Sequence, residues 1–101
     1  MQKTEFAVKM STFSKTDRQN ISQYLAQYSA SAPNRFKQEL ERYIGIIGET
    51  PLIFSTYNAD PRYRHVVIYG SYVMFYTVDE TAKTVFVYRV LHGSQNIENI
   101  L

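Results

Sequence analysis

Between residues 62 and 91 the chain carries three runs dense in Val, Ile, Phe and Tyr, at 62–69, 72–78 and 84–91, separated only by Gly70-Ser71 and by Asp79-Glu80-Thr81-Ala82-Lys83. β-Branched and aromatic residues suit the pleated surface of a sheet, and links this short join antiparallel neighbours. A three-stranded meander is therefore predicted for the C-terminal half. In its middle strand, Tyr72-Val73-Met74-Phe75-Tyr76 is polar at neither odd nor even positions, whereas an antiparallel strand with one wet face alternates. Both faces of this sheet are expected to need cover.

The N-terminal half supplies the rest of the layer. Phe6, Val8 and Met10 stand at alternate positions of 5–10, the period of a half-buried strand. After Ser14 and Asp17, Ile21, Tyr24, Leu25 and Tyr28 recur every three or four residues, which gives a first helix one apolar face. Ser29-Ala30-Ser31-Ala32-Pro33 interrupts that pattern, because a proline is accommodated at a helix start and pushes the residue before it out of helical space. A second helix then carries Phe36, Leu40, Tyr43, Ile44 and Ile47 on one stripe and stops near Gly48. The short link makes the two helices an antiparallel hairpin. Pro51, Asn58, Asp60 and Pro61 mark 50–61 as an irregular loop leading from helix to sheet. The expected fold is α+β: strand, helix, helix, then the meander, with the helical hairpin on one face of a four-stranded sheet.

A chain of 101 residues has room for one hydrophobic core, so residues 1–101 are expected to form one domain. Two helices cover one face of such a sheet. The other face is expected to present an apolar, aromatic concavity for a protein partner, unless residues 55–60 and the tail Ile97-Glu98-Asn99-Ile100-Leu101, long enough for about one helical turn, close it.

Lys and Arg number 11 against 9 Asp and Glu, a formal charge of +2. That excess is too small to announce nucleic-acid binding by itself, and direct nucleic-acid contact stays open. There is no cysteine, hence no disulfide framework or thiolate for zinc. His65 and His92 have no carboxylate cluster at ligand spacing, so neither a metal nor another cofactor is expected. No nucleophile triad, glycine-rich phosphate loop or paired-carboxylate signature is present. No segment reads as a secretory signal or membrane span, which makes the cytoplasm the expected location, with no membrane partner.

The polar residues that stand out are Arg62 and Arg64 on one strand face, and Arg89 and His92 at the end of the last strand. Singly, each reads as a solvated rim. Together they suit acidic side chains or a phosphate, which the planar guanidinium grips well. Tyr72 and Tyr76 are expected to form an aromatic rim beside them.

The run from Tyr63-Arg64-His65 through Tyr72-x-x-Phe75-Tyr76-x-Val78-Asp79, closed by Arg89-Val90-Leu91-His92-Gly93, resembles the C-terminal pattern of the RelE/ParE toxins, and the preceding strand and helical hairpin fit the same fold. The resemblance implies a type II toxin, of the plasmid-stabilisation kind, neutralised by an antitoxin lying over the sheet, with a homodimer or a hetero-oligomer with that antitoxin as possible assemblies. Within the superfamily, RelE-like mRNA interferases carry an arginine after the tyrosine that opens the third strand and a basic residue after the last strand, which stabilise developing phosphate charge. Those positions hold Val73 and Gly93, and the chain ends Asn99-Ile100-Leu101, without the tyrosine that supplies acid or base in that branch. The closing Val-Leu-His-Gly is more like ParE, whose members inhibit DNA gyrase by binding. Ser94-Gln95-Asn96 replace the basic residues that often follow. The leading expectation is thus a non-enzymatic gyrase inhibitor using Arg62, Arg64, Tyr72, Tyr76, Arg89 and His92 toward target or antitoxin. Two alternatives stay open: a ribosome-dependent mRNA interferase in which Arg64, His65 and His92 replace the missing groups, and an antitoxin-binding protein that has lost toxicity.

Overall fold

A computed structural model describes residues 5–101. Its elements run β1 (Ala7–Met10), α1 (Thr12–Ala26), α2 (Ala32–Glu49), β2 (Thr56–Tyr57), β3 (Asp60–Ile68), β4 (Tyr72–Asp79), β5 (Thr84–His92) and α3 (Ile97–Ile100). One sheet holds the strands in the order β1-β5-β4-β3-β2. The meander is antiparallel, and β1 lies parallel to β5, with Val8 opposite Val85 and Met10 opposite Val87.

The α+β class and the helical hairpin agree with the reading of the sequence, and the sheet has five strands rather than four. The added strand, β2, falls inside the stretch read as loop. It pairs only Thr56 with Arg64 and Tyr57 with Asp60, so it is too short to leave any periodic pattern. Helix α1 begins earlier than Ser14: Ser11 is its N-cap, accepting from the Ser14 N–H at 3.0 Å, which satisfies a donor the first turn cannot pair internally. Pro33 stands in the first turn of α2. Near the other end of that helix, the Gly48 carbonyl accepts the Phe6 N–H at 2.9 Å. A Cβ on Gly48 would lie 3.3 Å from the Val8 side chain, so the glycine lets helix and strand approach.

The main core lies between hairpin and sheet. Phe36, Leu40 and Ile47 from α2 meet Val66, Ile68, Tyr72, Met74, Tyr76, Val85, Val87 and Val90. A register shift lets Phe75 pair with Arg89 and the next residue, Tyr76, pair with Val87. The extra residue in β5 is a β-bulge, which bends a strand and re-aims its side chains. Here it brings Val87 and Val90, three positions apart, to the helix side.

The second face corrects the expectation of an open apolar concavity. Phe75, between two residues that face the helices, points to that side, yet it is 0% exposed, and Leu91 is 1% exposed. The Tyr57 ring lies over Phe75 at 5.0 Å, with His65 stacked beside it at 6.4 Å. Glu98 and Leu101 of the tail border a cleft of about 250 Å³ together with Tyr57, Asp60 and Arg62. The chain's own β2 segment thus closes the centre of the face, while Val67 and Phe86 stay 53% and 41% exposed.

Candidate functional site

Of the six residues singled out from the sequence, only Tyr72 and His92 come together. Tyr76 is fully buried and its hydroxyl donates to the Pro51 carbonyl at 2.9 Å; burial pushes its pKa up to about 12. It belongs to the core and not to a rim, because β4 turns it toward the helices. Tyr72 is likewise buried, edge-on to Phe36 at 5.4 Å and to His92 at 5.2 Å, and burial raises its pKa.

The arginines are held apart. Arg64 points to the helix side and donates to the Phe54 carbonyl at 2.7 Å and the Leu52 carbonyl at 3.5 Å, so it clamps the loop before β2. Arg62 is exposed and forms a two-pronged pair with Asp60, Nε to Oδ1 at 2.9 Å and Nη2 to Oδ2 at 2.7 Å. That hydrogen bonding raises the Arg62 pKa and lowers that of Asp60.

Arg89 forms a similar pair with Asp17 of α1, Nε to Oδ2 at 2.7 Å and Nη2 to Oδ1 at 2.8 Å, but both side chains are largely shielded from water. Asp17 also accepts the Val90 N–H at 3.1 Å. Its hydrogen bonds raise the Arg89 pKa. The guanidinium additionally lies 5.4 Å from the centre of the Phe13 ring. Asp17 escaped the sequence reading because 72 residues separate it from Arg89, and no local spacing announces such a partner.

Of the predicted residues, Tyr72 and His92 border a cleft of useful size. A cavity of about 330 Å³ between α1 and the end of β5 is lined by Asn20, Ile21, Tyr24, Tyr72, His92, Ser94 and Gln95. The turn after β5 shapes its wall: the His92 N–H donates to Gln95 Oε1 at 2.7 Å, and His92 Nδ1 accepts the Ser94 N–H at 3.1 Å. With Nδ1 occupied as an acceptor, Nε2 is the ring nitrogen left to meet a ligand. Tyr24 was assigned to the buried helix stripe, yet it stands half-exposed at the mouth. Its ring is 5.2 Å from that of Tyr28 one turn on, and the interaction with the Tyr28 hydroxyl raises the Tyr24 pKa.

Amides, a hydroxyl, an imidazole and aromatic walls make this cleft suited to a neutral polar or apolar group. Among the described residues no Lys or Arg lines it, so they supply none of the charge-assisted donors with which proteins grip a phosphate. Among the described residues no group of three or more His, Asp or Glu is placed to hold a metal ion, and no helix is long and apolar enough to cross a membrane.

Comparison with known proteins adds three findings. The sequence profile of the ParE toxin of the type II toxin–antitoxin system parDE matches residues 8–97. The fold is similar to a chain of the RelBE2 toxin–antitoxin complex from Mycobacterium tuberculosis, with a TM-score of 0.67 and 18% identity over 93% of this chain and 98% of that one. It is also similar to a chain of the chromosomal ParDE system from P. aeruginosa, with a TM-score of 0.69 and 12% identity over 86% of this chain and 95% of that one. No curated protein sequence matches.

Proposed function

The chain belongs to the ParE toxin family of type II toxin–antitoxin systems, and we propose that it acts as a toxin that inhibits DNA gyrase by binding, without cutting nucleic acid, and is silenced by a cognate antitoxin. The observation that carries this reading is the dispersal of its basic groups. Cleavage of RNA by attack of its own 2′-hydroxyl needs a base, an acid and donors gathered around one phosphate. Here Arg89 is committed to Asp17 and Arg64 to loop carbonyls, while Arg62 stands apart from both in an exposed pair with Asp60 that a stronger acidic partner can exchange. His92 lies in a cleft without a cation, and Val73 and Gly93 stand where the interferase branch carries basic side chains.

Binding, by contrast, needs shape and a few anchors. The cleft beside His92 offers a pre-formed apolar recess, and Tyr24 supplies an exposed aromatic at its mouth. Aromatic residues are enriched in such interfaces. Arg62, exposed beside Tyr63, is a contact for an acidic patch on the target or antitoxin.

Induced expression in a bacterial host tests this directly. The expected result is filamentation and DNA-damage signalling, relieved by co-expressing the antitoxin, with intact transcripts in primer extension. Codon-spaced cuts in a reporter transcript would replace the gyrase reading by the interferase reading, and normal growth would replace it by a non-toxic antitoxin binder.

A further inference from the structure

The two open flanks of the sheet are finished differently. Where β1 ends at Met10, β5 continues alone, and its outward backbone groups are taken up by other parts of the chain. The Val87 carbonyl accepts the Ser11 N–H at 2.9 Å, the Tyr88 carbonyl accepts the Ser11 hydroxyl, the Val90 N–H meets Asp17, and the His92 N–H meets Gln95. A side chain bonded to a strand edge denies that edge to another strand.

On the opposite flank the described residues supply no such side-chain bond to the backbone of β3 beyond Arg64. Strand β2 pairs with β3 only as far as Arg64, and the last bond is from the His65 N–H to the Ser55 carbonyl at 3.1 Å. The preceding residues are then drawn toward the helix side by the Arg64 guanidinium on the Leu52 and Phe54 carbonyls and by the Tyr76 hydroxyl on the Pro51 carbonyl. Backbone groups alternate in direction along a strand. Because the His65 N–H points outward, the His65 carbonyl and the Val67 N–H and carbonyl do so too. Among the described residues no hydrogen bond reaches these three groups. Exposed aliphatic side chains flank them: Val67, 53% exposed, on the face away from the helices, and Leu52 and Ile53, 47% and 56% exposed, on the clamped loop.

We propose that the outer edge of β3 at residues 65–67 is a strand-addition site, which takes an extended, uncharged, aliphatic segment of a partner polypeptide as a sixth strand. Main-chain bonds supply the pairing, and aliphatic side chains alternating above and below meet Val67 on one face and Leu52 and Ile53 on the other. The occupant is not a second copy of this chain meeting edge to edge. Three residues of strand extend about 10 Å, far less contact than the roughly 1,200–2,000 Å² that stable interfaces bury. A segment that pairs here therefore belongs to a polypeptide that continues over the neighbouring surface.

The experiment uses the full chain, isotopically labelled, titrated with a blocked heptapeptide of alternating Thr and Val. The expected result is saturable shift changes at residues 65–67 and 52–53, and exchange of the Val67 amide slowed by about tenfold or more. Val67→Pro removes the outward donor while keeping the bonds to β4, a substitution that edge strands tolerate, and abolishes the response; Val67→Thr keeps it. Should the proline variant fail to fold, Val67→Lys, which places a charge on the exposed side chain, gives the same loss. Peptide-induced shifts confined to other residues, no shifts, an unimpaired response in the proline or lysine variant, or a dimer by sedimentation with the Val67 amide already protected would each overturn the proposal. The outcome is independent of the gyrase reading, which induced expression tests separately.

Discussion

Two arginine–carboxylate pairs of nearly identical geometry differ in what they contribute. Arg62 and Asp60 meet at 2.7 Å in water, as do Arg89 and Asp17 at 2.7 Å in a largely shielded position. Exposed pairs contribute little because solvent screens them, so Asp60→Ala is expected to leave the urea unfolding midpoint nearly unchanged. Removing one partner of a shielded pair leaves a charge without compensation, and Asp17→Ala also strands the Val90 N–H. That variant is expected to lose roughly 2–4 kcal/mol in urea unfolding. Tyr76 supplies a pH signature at the same scale. Its pKa rises from the ordinary 10.0 to about 12. Below pH 10 the phenol is neutral in both states and its contribution is complete. Between pH 10 and 12 the unfolded chain ionises first, so stability falls by on the order of 2 kcal/mol and is lost above the folded pKa. Tyr76→Phe removes the bond to Pro51, costs about 1 kcal/mol at neutral pH, and flattens this alkaline decline, as unfolding midpoints at pH 8 and pH 11 will report.

Among the elements, those carrying a long period were legible in the sequence. The α2 stripe of Phe36, Leu40 and Ile47 is buried as its spacing requires, and the three meander strands fall within two residues of their predicted limits. What was hidden has a physical reason in each case. Two residues of β2 cannot display a period of two. The bulge opposite Phe75 depends on pairing register and not on composition. Closure of the second face depends on where the segment before β3 lands, which no local signal records. Of the candidate site residues, the apolar spacing that buried Tyr72 and Tyr76 was already visible, but their hydroxyl handles drew them into a rim. Tyr57 is the element-scale test. Its ring covers Phe75 and packs edge-on against His65 at 5.2 Å, so Tyr57→Ala is expected to destabilise the chain by roughly 1–3 kcal/mol. It should also increase binding of an apolar dye by uncovering Phe75; unchanged dye binding would mean that other groups close the face.

At the scale of the molecule, the distribution of partners matters more than the net charge of +2. The shielded Arg89 serves the scaffold and the exposed Arg62 is available, while the cleft at His92 and the bare edge of β3 lie at separate parts of the surface. On the proposed function, this α+β body acts through contacts. On that function the chain stops gyrase without phosphodiester chemistry. The most direct measurement is ATP-dependent supercoiling of relaxed plasmid by purified gyrase, with increasing amounts of the purified chain. Dose-dependent loss of supercoiling, reversed by antitoxin, is expected. Full supercoiling at every dose, with cleavage of ribosome-bound mRNA by the same preparation, would contradict it.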